Sequence, residues 1–385
     1  MTHQFIHACA GSGKTQHIID HCCQSQPNVR RLIITLTLTG QDELKGRLQN
    51  NIDPLTPAPE VTGWYTFLTN HIIRPYLPLL FPEQRVTGFM FDPGDARERL
   101  RYKKTTDPRR YFSETGMIYK DNLEELAARL IDKAGGLVEN RLRLIYDEIL
   151  IDEAQDISRS GLDVIGRLLR QDSVRCLLVG DSRQSLLDSS LASQKNRKAD
   201  RQNLMGWYRE FEKSGRLKID EKVETYRFNQ AIADFSDTIF QNKLQFETTK
   251  SKVTRRSSHE GVFLVAKDDL NSYIRTFNPT VLRDSKRSWK EQDTLKPINF
   301  GVSKGRTYQR VVILATGSIQ DFCLKGIDLS DKSACAFYVA VTRAQDSVAI
   351  AIDKPRTRLI AEAPPHLSVW RPQRESDGFE LSQLF

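Results

Sequence analysis

The residues best equipped for chemistry form a short run near the start of the chain, Ala8-Cys9-Ala10-Gly11-Ser12-Gly13-Lys14-Thr15, directly behind the apolar pair Phe5-Ile6. Gly11 and Gly13 permit a tight turn in which the backbone N–H groups from Ala10 to Thr15, Ser12 included, point inward at the β- and γ-phosphates of a nucleotide. Lys14 adds a point charge, and the Thr15 hydroxyl is placed to hold Mg²⁺ at the start of a helix. The pattern usually begins with glycine; Ala8 takes that place, which the turn tolerates. A phosphate cradle needs an acidic complement, and LIYDEILIDEAQD, Leu144 to Asp156, supplies one at the end of an apolar strand. Asp152 can hold Mg²⁺ through water, while Glu153 can polarise the water that attacks the γ-phosphate. Past a further strand in VRCLLVGDSRQS, Val174 to Ser185, Asp181 and Gln184 occupy the rim where open α/β sheets bind ligands. Gln184, a neutral donor and acceptor, suits sensing of a γ-phosphate. The chemistry is binding and hydrolysis of ATP or GTP.

These groups need a sheet with helices to hold them. A helix from Gln16 onward buries Ile18 and Ile19, and RLIITLTLT, Arg31 to Thr39, reads as a parallel strand. GQDELKGRL then keeps helical spacing through Leu44 and Leu48, Pro54, Pro57 and Pro59 break the chain, and order resumes over Val61 to Ile73. A helix is expected over Gly161 to Arg170, and the polar stretch Ser189 to Gln202 reads as a loop. The second half repeats the alternation: strands at LKI near Leu217, Gly261 to Val265, Thr280 to Arg283, Pro297 to Phe300, Val311 to Leu314 and Val348 to Ile352, with a helix over Asn229 to Gln241. Alternating strands and helices imply a second parallel sheet. It has no phosphate loop of its own and instead carries isolated cations, Arg227 in ETYRFN, Lys304 and Arg306 in SKGRTY, and Arg343 in FYVAVTRAQ. The segment from Pro364 to Phe385 reads as an unstructured end.

At 385 residues the chain has room for two or three domains. With 39% hydrophobic and 28% charged residues and no apolar run long enough to span a bilayer, it belongs to the soluble globular class, and membrane functions are excluded. The phosphate loop begins too early to leave room for a signal peptide, and the six cysteines lack paired spacing, so a cytoplasmic location with reduced thiols is expected. The net charge of +8 favours a polyanionic partner. Between Arg74 and Asn140, Arg97, Arg99, Arg101, Lys103, Lys104, Arg109 and Arg110 interleave with Tyr102, Tyr111 and Phe112. That mixture fits either a groove that tracks a nucleic-acid strand or a solvated helix face. His17, Asp20 and His21 read as the solvent face of the first helix rather than as a zinc site.

Taken in order, these strings resemble the UvrD/Rep/PcrA family of superfamily 1 helicases from Ala8 to about Gln345. ACAGSGKT resembles motif I, and TLTLTGQDELKGRL motif Ia through Thr35, Thr37 and Lys45; GWYTFL near Trp64 is a weaker motif Ib. DEAQD matches motif II residue for residue, and VGDSRQS matches motif III at Gly180, Asp181, Gln184 and Ser185. TYRFN, SKGRTY and YVAVTRAQ are similar to motifs IV, V and VI. The resemblance implies an α/β protein of two RecA-like P-loop NTPase domains, with ATP and Mg²⁺ between them and a small helical insertion in the first. The expected division is 1–73 and 141–212 for the first domain, 74–140 for the basic insertion, 213–363 for the second domain and 364–385 for the tail. By the same resemblance Lys14, Thr15 and Asp152 hold the Mg-nucleotide, Tyr226 stacks on adenine, Gly305 borders the nucleotide, and Arg227 and Arg343 act as arginine fingers. Thr37, Trp64, Thr66, Ser303 and Lys304 would contact single-stranded DNA, mostly through phosphate.

The sequence also departs from that family. No glutamine motif precedes motif I, LLDSSL follows Ser185 where the family has aromatics, Gly301-Val302 replaces a His-Lys pair, and Thr307 replaces a glutamate. Only a short stretch separates Arg283 from Ile298, where larger members insert a domain. The resemblance therefore implies a small ATP-dependent helicase or translocase, moving 3′ to 5′ on single-stranded or forked DNA. The alternative is a regulatory ATPase that senses DNA ends or single strands and activates a partner nuclease, as in anti-phage systems similar to Gabija.

Overall fold

Apolar, β-branched runs need cover on both faces, and the parallel sheets of the protein provide it. A computed structural model describes residues 2–24, 28–52, 57–91, 103–171, 174–185, 203–242 and 246–372. The chain divides into two compact units, Met1–Val223 and Glu224–Phe385.

In the first unit the strands are β1 (His3–Ala8), β2 (Arg31–Thr35), β3 (Glu60–Gly63), a short pair β4 (Gly88–Met90) and β5 (Met117–Tyr119), then β6 (Glu148–Ile151), β7 (Arg175–Gly180) and β8 (Leu217–Lys222). Six of them form one sheet in the order β3-β2-β6-β7-β1-β8, every pairing parallel. The strand around Leu217, expected with the second half, pairs with β1 along its whole length and closes the first sheet. Its sequence LKIDEK alternates apolar and polar residues, as befits an edge strand with one face in water. The first helix, Lys14–Gln24, is seated by Ile18, Ile19 and Cys22 in a cluster with Ile6, Ile33, Leu150 and Val179. Burying each large aliphatic side chain contributes about 1.5–3 kcal/mol, so this packing anchors the helix end that carries Lys14 and Thr15.

The second unit contains β9 (Glu224–Thr225), β10 (Lys250–Ser251), β11 (Gly261–Ala266), β12 (Thr280–Arg283), β13 (Ile298–Asn299), β14 (Tyr308–Leu314), β15 (Ala344–Ile352) and β16 (Ser368–Val369). Its main sheet runs β13-β12-β14-β15-β11-β16, again wholly parallel. Numbering the six strands of each sheet by chain order gives the same permutation twice, third-second-fourth-fifth-first-sixth. The protein is thus α/β with two RecA-like sheets. Residues past Pro364 do not all form a loose end: β16 pairs with β11, and Trp370 packs edge-on to Tyr273 at 5.0 Å. The terminal FELSQLF lies outside the described residues, as do Ser189 to Gln202, Arg97, Arg99, Arg101 and Tyr102.

The segment between β3 and β6 is mainly helical. A helical stretch, Trp64–Phe67, continues into a π-helical turn, Leu68–Ile73, and the long helix Lys120–Ala134 lies against that turn and against the helix Arg159–Leu169. Of its basic residues, Arg110 is bound to Glu125 at 2.7 Å and Arg109 to Asp107 at 2.9 Å. The Arg110 pair is half-buried and serves the fold. Among the described residues no helix is long and apolar enough to cross a membrane.

Candidate nucleotide site

The loop between β1 and the first helix has the conformation its glycines promise: Gly11 and Gly13 have φ of 76° and 78°, the left-handed region that L side chains avoid. Cys9 N–H is tied to Lys222 O at 2.9 Å, fixing the loop's first residue to β8, and His17 N–H donates to Gly13 O at 2.8 Å. The helix therefore begins at Lys14, earlier than the apolar spacing alone indicates. Ala10 is buried, and Thr15 is half-buried in the first turn. Ser12 Oγ is buried without a hydrogen-bond partner. An orphaned oxygen in a loop turned by two left-handed glycines fits a site built for a hydrated or phosphorylated guest, although the Ser12 N–H closes within the loop on Cys9 O at 3.3 Å.

Asp152 follows β6, and its backbone N–H donates to Ile34 O at 2.9 Å. Burial and the neighbouring Glu153 push its carboxyl up to about 7, while Lys14 draws it the other way. The sheet order β6-β7-β1 sets the strand ends that carry Asp152, Asp181 and Lys14 beside one another. A buried carboxyl whose charged form lacks enough compensation is a natural ligand for a divalent cation, and Asp152 with the Thr15 hydroxyl supplies hard oxygen donors of the type Mg²⁺ takes. Glu153 adopts φ 52°, unusual for a residue with a side chain. The turn Ala154–Asp156 continues from it, and the Gln155 amide donates to Glu153 Oε2.

Gln155 also reaches the third element. Its Oε1 accepts from Asp181 N at 3.0 Å, and Ser185 Oγ donates to Gln155 O at 3.0 Å. Asp181 is buried; burial would raise its carboxyl, but Arg183 and Lys14 outweigh that and hold it at about 2. Gln184 donates to Asp181 Oδ2 at 2.7 Å. His7 of β1 lies 3.0 Å from Ser182 Oγ, and burial lowers its imidazole to about 3, so it acts as a neutral hydrogen-bonding group. Gln155 and His7 escaped the sequence reading. Gln155 sits inside DEAQD and His7 immediately before the loop, yet nothing in a linear string marks their contacts with Asp181 and Ser182.

The remaining residues fall into three groups. Thr37 and Thr66 are exposed, and Thr37 ends the strand early: its hydroxyl accepts from Gly40 N at 3.0 Å, capping the helix Leu38–Asn51, so β2 stops at Thr35. In the second unit Tyr226 is 63% exposed, with its hydroxyl on Glu224 at 3.2 Å, and Gly305 is exposed with φ 83° beside half-buried Lys304. Arg227 donates to Thr342 O at 3.2 Å, next to Arg343. Arg343 is 1% exposed, and its guanidinium donates to Val339 O at 3.0 Å and Arg306 O at 3.3 Å.

Three expectations need correction. Trp64 is no strand contact: it is 1% exposed, and its indole N–H donates to Glu124 at 2.7 Å, because the apolar ring is worth more in the core than on the surface. Ser303 is fully buried, its hydroxyl turned back to Phe300 O at 2.7 Å. His21 does not face solvent alone but lies 3.1 Å from Glu148, which also binds Arg31 at 2.9 Å and Arg175 at 3.0 Å.

No protein-family model matches this sequence, and no curated protein matches it. Among solved structures the chain is similar to the arterivirus nonstructural protein 10 helicase, at 13% identity and a TM-score of 0.46, and to the same helicase in complex with DNA, at 13% and 0.47. Each alignment covers 94% of this chain and 62% of the arterivirus protein, so the chain spans under two thirds of that protein's length.

Proposed function

We propose that this protein is an ATP-dependent motor on single-stranded DNA, a helicase or translocase of superfamily 1 moving 3′ to 5′. The observation that carries the reading is the sheet order β6-β7-β1, which puts Lys14 after β1, Asp152 and Glu153 after β6, and the hydrogen-bonded Asp181–Gln184 pair after β7, along the carboxyl edge of the sheet. Strand ends of this kind are where open parallel sheets hold ligands. In this reading the loop from Ala10 to Thr15 would bind the phosphates, and Thr15 and Asp152 would hold Mg²⁺, whose chemistry there would be neutralisation of phosphate charge. Glu153 takes the proton of the attacking water, kept in place by the Gln155 amide. Gln184 reports whether a γ-phosphate is present. Arg227 and Arg343 are assigned to the charge that develops in the transition state, Tyr226 to the adenine ring, and Gly305 to the nucleotide's border. Thr37, Thr66 and Lys304 are assigned to the DNA backbone.

The test is ATP hydrolysis with and without single-stranded DNA, followed by unwinding of a fork. Stimulated hydrolysis with unwinding supports the motor; a rate indifferent to every nucleic acid sinks it. A second reading, a DNA-stimulated regulatory ATPase that activates a partner nuclease, draws on the 283–298 stretch. Trp289 anchors that stretch, donating to Ala315 O at 2.8 Å, and it holds no added domain to grip a duplex. Stimulated hydrolysis without unwinding by the chain alone favours this second reading.

A further inference from the structure

Three stretches of the first unit meet at one buried carboxyl. Trp64 opens the helical stretch whose exposed residue is Thr66, and its indole Nε1 donates to Glu124 Oε1 at 2.7 Å. Glu124, 4% exposed, belongs to the Lys120–Ala134 helix of the segment that interrupts the sheet. Its second oxygen, Oε2, accepts from the Ser158 hydroxyl. Ser158 caps the Arg159–Leu169 helix, accepting from Gly161 N at 3.1 Å. The approach is close: a Cβ at position 161 would lie 2.8 Å from Glu124 Oε1 and 2.5 Å from Ile157 Cγ2, so glycine is needed for the carboxyl to seat.

What makes this cluster more than a core polar contact is where Ser158 lies in the chain. The turn Ala154–Asp156 joins it to Glu153, and the same turn carries Gln155, which binds both the Glu153 carboxylate and the Asp181 backbone. A movement of the Thr66 stretch therefore has a route to the turn that aims Glu153, through the Trp64–Glu124 and Ser158–Glu124 hydrogen bonds and then along the backbone through Ile157. Hydrogen bonds to a buried carboxyl are directional and costly to leave unmade, so the three elements move together or not at all. The π-helical turn Leu68–Ile73, packed on the Glu124 helix, is a structural irregularity of the kind found at functional sites.

We propose that Glu124 is a positioning residue that transmits DNA occupancy at the Thr66 surface to the Glu153 turn, and so sets how strongly DNA stimulates hydrolysis. This rests on the motor or sensor reading above. The experiment compares ATP turnover without DNA, turnover with saturating oligothymidine, and oligothymidine affinity by fluorescence anisotropy. It uses the full chain and three variants, Glu124→Ala, Trp64→Phe and Glu124→Gln, with thermal unfolding followed in parallel. Trp64→Phe keeps an aromatic ring in the core and removes the donor together with part of the ring volume, a packing loss that the thermal unfolding reads separately. Glu124→Gln retains an acceptor for the indole and a donor for Ser158. Glu124→Ala and Trp64→Phe are expected to keep the DNA-free rate and the oligothymidine affinity while the stimulation factor drops about tenfold, the consequence of losing a hydrogen bond to a charged group. Glu124→Gln is expected to restore stimulation. Undiminished stimulation in Glu124→Ala and Trp64→Phe overturns the proposal, and so does a proportional fall of basal and stimulated rates. A wild-type rate that ignores oligothymidine removes the parent reading as well, and is read on the wild-type protein alone.

Discussion

The side-chain amide of Gln184 donates to Asp181 Oδ2 at 2.7 Å, on a carboxylate whose other oxygen takes the Arg183 Nε at 3.1 Å. Gln184 is thereby held by a buried anion rather than left to rotate. Removing the charge with Asp181→Asn takes away two charge-assisted bonds and frees both neighbours. The expected result is a fall in kcat of about 10- to 100-fold with little change in KM. Steady-state kinetics check it, and an equal loss in nucleotide affinity would show that Asp181 shapes the pocket rather than the sensor.

Glu153 and Lys14 separate chemistry from binding. Glu153→Gln keeps shape and the contact with Gln155 but cannot take a proton, so turnover should fall about 10²- to 10⁴-fold while ATP still binds. Lys14→Ala should lose turnover and binding together. Calorimetric titration with ATP beside the rate assay distinguishes the two, and retained turnover in Glu153→Gln would remove this residue from the base role.

Arg343 is held inside its own unit, and the proposed contact with transition-state charge can be separated from that structural part. Its guanidinium holds the carbonyls of Val339 and Arg306, so Arg343→Ala should lower thermal stability as well as turnover. If Arg343 also meets transition-state charge, turnover falls by about 10³-fold or more at temperatures where the variant is fully folded. Folded Arg343→Ala with near-normal kcat would leave it a purely structural residue. Arg227→Ala, which removes the bond to Thr342 O, should likewise lose turnover, with thermal unfolding followed beside the rate.

The far end of the first sheet gives a pH prediction. Glu148 is surrounded by Arg31, Arg175 and His21. Burial alone would raise its carboxyl, yet His21 and Arg31 outweigh it and bring the folded value to about 2, below the ordinary 4.5. Its contribution to stability is therefore complete above about pH 5 and is lost as pH falls through the unfolded value towards the folded one. Glu148→Leu leaves the cations uncompensated and should cost about 3–5 kcal/mol at neutral pH. Denaturant titrations at pH 7 and pH 3 check both statements: the gap between wild type and variant should shrink at the lower pH.

Much of the candidate site was legible in the linear chain because it depends on local backbone geometry. Gly11 and Gly13 at positive φ, a helix following the loop, and acids directly after an apolar strand follow from residue types at fixed short spacing, although that helix opens at Lys14, earlier than its apolar spacing gives. Strands were legible for the same reason where the apolar run is buried on both faces, as in Arg31–Thr35 and Glu148–Ile151. Other assignments depended on long-range partners. Whether Trp64 meets solvent or Glu124, whether Leu217 starts the second sheet or closes the first, and whether Ser368 pairs at all are decided by segments far away in the chain. The guanidinium of Arg343 belongs to this class in part, since one of its bonds reaches Arg306 O, whereas the Ser303 hydroxyl is turned by the nearby Phe300 O.

By itself, then, the amino-acid order determined the glycine loop behind β1, the acids directly after β6 and the alternation that builds parallel sheets, all consequences of short-range sterics and hydrophobic period. Only the tertiary structure decided that both sheets share one strand order, and that Glu124, Gln155 and His7 join the loops around the site. Hydrogen bonds between buried groups form only where packing has already excluded water, and which groups that packing brings together is a property of the whole fold.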